Sequence, residues 1–305
     1  MTQPVFTLGS RGSPLALAQA RMAAAALEQA HGWPTGSVKI RVVKTSGDRI
    51  QDRPLAEVGG KALWTKELDL ALLAGETHAS VHSMKDVESE RPDTLAIAAM
   101  LPRADVRDRL IGAASVSDLP QGALVGSSSP RRTAQLLRLR PDLRLVSIRG
   151  NVDTRLAKRD AGEVDATLLA AAGLDRLGRH DVGVPIPEML PAPAQGAVGI
   201  ECRADDGATR ALLTAIDHGD TCAAVAAERA FTRALGGSCH SPVAALAIVK
   251  DGAIHFRAQI LSEDGREAMQ ADTHFAVGET DRAEELAREM LASAPHAIRQ
   301  LFDPK

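Results

Sequence analysis

Arginine recurs in this sequence where apolar runs hand over to helix starts. Ser10-Arg11-Gly12-Ser13-Pro14 sets a serine N-cap and a proline at the first helical position directly after an apolar run. Ser127-Ser128-Ser129-Pro130-Arg131-Arg132 repeats the device, and Arg149-Gly150-Asn151, with Arg155 close behind, follows another such run. Helix starts present unpaired N–H groups and the positive end of the helix dipole, and arginine adds a bidentate fork for a carboxylate or phosphate. In open α/β sheets the carboxyl ends of the strands gather at one crevice, so these starts predict an anion-binding cleft. Neither GxxxxGK[ST] nor GxGxxG sits at them, which points away from a nucleotide and toward a small polycarboxylate.

A base and an acid stand together in Val81-His82-Ser83-Met84-Lys85-Asp86, at the end of an apolar run. Asp86 amid cationic side chains would stay ionised, suited to stabilising a developing cation and relaying protons. His82 reads as a satisfied core histidine. Of the three cysteines, Cys202 and Cys222 lie in apolar surroundings, where thiols are inert. Cys239 lies in Gly236-Gly237-Ser238-Cys239-His240-Ser241-Pro242, a small-residue loop in which a thiol can be reached and modified. His240 is too near in sequence to act as a facing base, which counts against cysteine-protease chemistry. No CxxC pair suggests zinc, and no metal site is expected.

The elements that must position these residues follow from patterning. Apolar runs over 5–9, 38–45, 79–84, 95–101, 123–127, 144–148 and 166–171 read as strands, and 14–30, 64–74, 130–139 and 152–161 as helices. That is α/β rhythm. The polar stretch 102–108 and the proline-rich stretch 185–193 bracket what reads as an inserted module. After Gly219 the style changes: a helix over 222–234, strands over 243–249, 253–261 and 267–276 joined by Asp251-Gly252 and Asp264-Gly265, and an amphipathic helix over 282–294. A chain of 305 residues is long for one core, so two or three domains are expected. Aromatic residues make up 2% with no tyrosine, and the net charge is -3, a composition unlike that of a nucleic-acid binder. The first residues carry no basic stretch followed by an unbroken apolar one, so neither export nor a membrane span is expected, and a cytoplasmic location is.

Ser10-Arg11 with Ser13–Leu17, Gly59-Gly60-Lys61 with Lys66-Glu67-Leu68, and His82–Val87 stand in one order along the chain. Ser128-Ser129 with Arg131-Arg132, Arg149-Gly150-Asn151 with Thr154-Arg155-Leu156, Gln195-Gly196-Ala197 and the cysteine loop continue it. In this order and spacing the chain resembles the porphobilinogen deaminase, or hydroxymethylbilane synthase, family over nearly its full length. The resemblance implies two doubly wound α/β domains like those of periplasmic binding proteins and a small α+β domain with a three-stranded antiparallel sheet. Domain 1 would span 1–101 and 197–216, domain 2 105–192, and domain 3 220–305. It implies a dipyrromethane cofactor joined to Cys239 through a thioether and extended by four porphobilinogen units with loss of ammonia, to give hydroxymethylbilane for tetrapyrrole biosynthesis.

By the same resemblance, Asp86 would assist ammonia loss and stabilise positively charged pyrrole intermediates. Ser83, Lys85, Ser128, Ser129, Arg131, Arg132, Arg155 and Arg176 would hold the cofactor, while Arg11, Ser13, Arg149, Arg155 and Gln195 would serve substrate. The segment 47–60 would be a lid and the protein a monomer. Departures from the family pattern are Trp64, Glu88, Val106, Pro130, Ala194 and the Gly236-Gly237-Ser238 run. A two-lobed carboxylate-binding protein without chemistry shares the architecture but needs neither Asp86 nor a thiol. A cysteine-dependent transferase of another kind would keep its thiol free between turnovers.

Overall fold

The computed structural model describes residues 6–45, 65–236 and 241–302. Cys239, His240, Lys61, Trp64, Ser238 and the expected lid at 47–60 lie outside the described residues. In chain order the elements begin β1 (Phe6–Ser10), α1 (Pro14–His31), β2 (Val38–Val42), α2 (Lys66–Leu73), β3 (Ala79–Ser83) and β4 (Leu95–Met100). They continue β5 (Asp108–Ile111), β6 (Leu124–Gly126), α3 (Pro130–Leu139), β7 (Arg144–Val146), α4 (Val152–Asp160), β8 (Ala166–Ala170), α5 (Ala171–Arg176) and β9 (Val184–Ile186). Then come β10 (Val198–Arg203), α6 (Gly207–Thr214), α7 (Gly219–Leu235), β11 (Val243–Lys250), β12 (Ala253–Leu261), β13 (Ala268–Ala276), α8 (Thr280–Ser293) and α9 (His296–Arg299).

The chain divides into two compact units, one of 1–104 with 197–222 and the other of 105–196 with 223–305. The first unit carries a sheet in the order β2-β1-β3-β10-β4, in which β1 pairs in parallel with β2 and β3, and β10 runs antiparallel between β3 and β4. The second unit carries a sheet in the order β7-β6-β8-β5-β9, with β6 parallel to β7 and β8, and β5 antiparallel to both β8 and β9. Both sheets thus repeat one pattern of directions, which no repeat in the sequence announces. The reversed strands β10 and β5, and the short β9, are not among the strands expected from patterning. The strand β10 is buried from Val198 to Cys202 with no alternation, Glu201 included.

Apolar faces close each core. Ala20, Ala23 and Leu27 of α1 pack with Phe6, Leu8, Val81, Val198 and Ile200. In the second unit Leu136 of α3 packs with Leu110, Val125 and Leu168. The third sheet, β11-β12-β13, is antiparallel and encloses Phe231, Phe256 and Phe275 with Ala283, Ala287 and Met290 of α8. It belongs to the second unit, and Gly265 shows how closely the unit is joined: its φ is +69°, and a Cβ there would lie 2.2 Å from the Ala134 carbonyl oxygen of α3. No helix of the described residues is long and apolar enough to cross a membrane.

Candidate functional site

The residues singled out by type and spacing fall into two groups, one in each unit. In the first unit β1 and β3 are parallel neighbours, so their carboxyl ends set Ser10–Ser13 and Ser83–Asp86 at one edge. Ser13 caps α1, its Oγ accepting from Ala16 N at 3.3 Å, and Pro14 begins the helix. Arg11, Ser13, Gln19, His82, Ser83 and Asp86 line one small, open pocket. Gln19, which residue patterning passes over because it sits inside an alanine-rich helix, is buried and donates to Ser83 Oγ at 3.4 Å.

Met84, Lys85 and Asp86 form a 3₁₀ turn. Its Met84 side chain is buried against β10, where Gly199 leaves the room: a Cβ at 199 would lie 2.1 Å from the Met84 sulfur. With Met84 N donating to Ala197 O at 3.1 Å, the turn is pinned from beneath while Asp86 stays exposed at its lip. Lys85 is half-buried in the same turn.

In the second unit β6 and β7 are parallel neighbours, and the serine and arginine starts follow their carboxyl ends. Ser129 caps α3, accepting from Arg132 N at 3.4 Å, while exposed Ser128 donates to Ile148 O at 2.6 Å. Asn151 caps α4, its Oδ1 accepting from Thr154 N at 2.9 Å, and Arg155 Nε donates to Gly150 O at 3.0 Å. Gly150 has φ +118°, and a Cβ there would lie 2.6 Å from Thr154, so the turn that presents Arg149 requires glycine.

Arg131 and Arg132 are buried, and both turn one nitrogen to Asp108. Their Nη2 atoms donate to its two carboxylate oxygens at 2.7 Å each, while the Nη1 atoms donate to Leu190 O and Leu168 O. Gln195 Nε2 joins them, donating to Asp108 Oδ1 at 2.9 Å and to Val106 O at 2.8 Å. Burial pushes the Asp108 carboxyl up, but the two guanidinium groups outweigh it and hold it below the usual carboxylate range. Burial pulls the Arg131 guanidinium down against the pull of Asp108. Gln195 follows Ala194, whose φ of +60° is left-handed and explains why glycine is the easier residue there. Arg176 donates from Nη2 to Gly196 O at 2.6 Å, and burial lowers its guanidinium.

Asp108, which holds both arginines, is a residue that sequence reasoning missed, since 102–108 read as a linker. An acid opening the run Asp108–Ile111 was the available signal.

What this second group still offers is chiefly N–H donors. Nε of Arg131, Nε of Arg132, Nε of Arg176 and Nη1 of Arg149 are buried and have no hydrogen-bond partner among the described residues. All are N–H donors on cations, and buried donors of that kind require acceptors, so they suit a ligand rich in carboxylates.

The family models carry the same reading along the chain. Residues 6–211 match the porphobilinogen deaminase, dipyromethane cofactor binding domain, and residues 222–294 the porphobilinogen deaminase C-terminal domain. The chain belongs to the porphobilinogen deaminase family. A porphobilinogen deaminase of Sphingopyxis alaskensis is 57% identical over 303 residues, covering 97% of this chain and 96% of its own. One of Paracoccus denitrificans is 50% identical over 294 residues, covering 93% and 94%. Among solved structures, a periplasmic substrate-binding protein of an ABC transporter from Coxiella burnetii aligns with 14% identity and a TM-score of 0.42 over 70% of this chain and 91% of that one. As a porphobilinogen deaminase the protein is a transferase: it condenses porphobilinogen into hydroxymethylbilane with release of ammonia, using a dipyrromethane cofactor, in tetrapyrrole biosynthesis. The orphaned buried N–H groups fit that cofactor, whose pyrrole rings each carry acetate and propionate side chains.

Proposed function

We propose the following division of labour for this activity. Cys239 carries the dipyrromethane through a thioether. Ser83, Lys85, Ser128, Ser129, Arg131, Arg132, Arg155 and Arg176 hold its carboxylates. Arg11, Ser13, Arg149, Arg155 and Gln195 serve the incoming porphobilinogen. The observation that carries this reading is the set of buried guanidinium N–H groups left without acceptors among the described residues.

When bound, the dipyrromethane supplies the carbon nucleophile to which porphobilinogen units are added. Asp86 acts on the substrate. As the aminomethyl C–N bond breaks and its electron pair leaves with ammonia, positive charge develops on the pyrrole, and the Asp86 carboxylate at the lip of the pocket lowers the energy of that charge. Fixed carboxylate–arginine contacts hold the ring in place while this happens, so orientation is set before the bond breaks. Asp108, to which Gln195 donates, holds the Arg131 and Arg132 forks from behind, so their remaining N–H groups are already aimed before a ligand arrives. The domain division 1–101 with 197–216, 105–192 and 220–305, a monomeric state, a cytoplasmic location and the absence of nucleic-acid or membrane partners belong to this same reading.

Intact mass spectrometry tests it. The protein is expected to exceed its sequence mass by two porphobilinogen units less two ammonia, and Cys239→Ser to lack that increment. An unmodified wild-type protein that is active would overturn the covalent assignment.

A further inference from the structure

Beneath the pocket of the first unit lies an arginine that the proposed division of labour does not use. Arg91 is nearly buried, and each of its five N–H donors meets an acceptor. Nε and Nη2 fork onto the two oxygens of Glu201 at 2.9 Å each, and Nη2 also reaches Asp69 at 2.6 Å. Nη1 donates to Glu88 at 3.0 Å and to Thr65 Oγ1 at 3.3 Å, and Thr65 in turn donates to Glu88 at 3.1 Å. On its far side, Glu201 lies 3.2 Å from Nε2 of His82.

Four segments of chain therefore meet at one guanidinium: the start of α2 through Thr65 and Asp69, β10 through Glu201, β3 through His82 behind Glu201, and the stretch leaving the Asp86 turn through Glu88. Thr65 and His82 also line the pocket itself. We propose that Arg91 is a positioning residue for Asp86, holding the exit of the Met84–Asp86 turn by clamping Glu88 against Glu201 and Asp69.

The argument rests on unequal access to water. Without Arg91, the carboxylates of Glu201, Asp69 and Glu88 would lose the guanidinium that lies among them. The Glu201 side chain is 0% exposed and Asp69 14%, whereas Glu88 is 26% exposed. Like charges in a poorly hydrated site separate where separation is easiest, so Glu88 would turn outward. Glu88 lies two residues beyond Asp86, and the exposed turn would be drawn with it. Met84 and β3, fixed by β10, would stay in place. The predicted change is thus confined to the turn that bears Lys85 and Asp86 and spares the arginines that bind ligand.

This inference rests on Asp86 being the carboxylate that acts on the substrate. Its test is steady-state porphobilinogen turnover by the holoenzyme carrying Arg91→Met, with intact mass as the check on cofactor loading. The expected result is a fall in kcat on the order of tenfold or more, the cost of a small misplacement of a reacting group. KM should stay within about threefold and the cofactor mass should be unchanged, because substrate binding is untouched. Glu88→Gln, added to Arg91→Met, should return part of the lost kcat by removing the charge that is expelled. A folded, loaded Arg91→Met enzyme with wild-type kcat would overturn the inference, as would a loss carried by KM or cofactor mass, or a double variant no faster than Arg91→Met. If Arg91→Met does not fold, Arg91→Lys takes its place: it keeps the charge without the fork, and wild-type kcat there overturns the inference equally. Wild-type rates in Asp86→Ala would instead defeat the role of Asp86, and a wild-type enzyme inert toward porphobilinogen the activity itself.

Discussion

Asp108 Oδ1 accepts from Arg132 Nη2 at 2.7 Å, in a site where the carboxylate is fully buried and its other oxygen is taken by Arg131. The arginines that the sequence marks as ligand forks are thus already half-occupied by the protein's own carboxylate. Removing it would leave two buried guanidinium groups uncompensated. Asp108→Ala is expected to destabilise the protein by about 3–5 kcal/mol in denaturant unfolding. A loss under about 1 kcal/mol would show that Arg131 and Arg132 find other partners or water.

Asp86 differs from Asp108 in every respect that bears on stability, being exposed at the lip of its turn. Asp86→Ala should leave unfolding within about 0.5 kcal/mol of wild type. It should lower kcat on the order of 10²–10⁴-fold, the usual worth of a positioned acid–base group. Stopped or steady-state assays of ammonia release settle the matter, and undiminished rates would remove Asp86 from the chemistry.

The contact between Gly199 and Met84 gives a separate handle on the same turn. Gly199→Ala forces the Met84 sulfur to move, since the added carbon would lie 2.1 Å from it. Overpacking of this kind costs about 1–3 kcal/mol. Both stability and kcat should fall, because Met84 anchors the turn that bears Asp86. Shortening the anchor by Met84→Ala in the same chain should recover part of the stability but not the kcat. Unchanged thermal unfolding of Gly199→Ala would show that the flexible thioether swings aside freely.

Acid should expose the Glu201 site. Burial pushes this carboxyl up, but His82 and Arg91 facing it bring it down from 4.5 to about 2. With the folded value below the unfolded one, the unfolded chain binds more protons between them, so the stabilisation is complete above the ordinary range and fades as pH falls from 4.5 toward about 2. That shift is worth on the order of 3 kcal/mol. Asp69, raised chiefly by burial against the pull of Arg91, has the opposite sign and softens the slope. Denaturant midpoints measured across this pH window should fall in wild type and fall less in Glu201→Gln; parallel curves would refute the assignment.

Local signals carried the arginine and serine helix starts far. Ser13, Ser129 and Asn151 cap α1, α3 and α4 as their residue types require, and Pro130–Leu139 is a helix over the span its pattern predicts. The three strands of the small antiparallel sheet were also legible, because Asp-Gly turns and alternation are short-range features. The reversed strands β5 and β10 were not, since each mixes charged with apolar residues and takes its direction from neighbours distant in sequence. Gln19 escaped notice for a related reason: a polar residue on a helix declares its partner only once Ser83 is brought beside it.

The sequence by itself determined the family, the chemistry to expect and the candidates Cys239, Asp86 and the arginines, because ordered motifs and cap residues are written along the chain. Only the tertiary structure decided that Arg131 and Arg132 share Asp108, that Gln195 points into that pair, and that Arg91 gathers Thr65, Asp69, Glu88 and Glu201 beneath the Asp86 turn. A charge shows its type in the sequence. Its partner depends on which segments the sheet brings together, and burial then decides whether that partner is held or exchanged for a ligand.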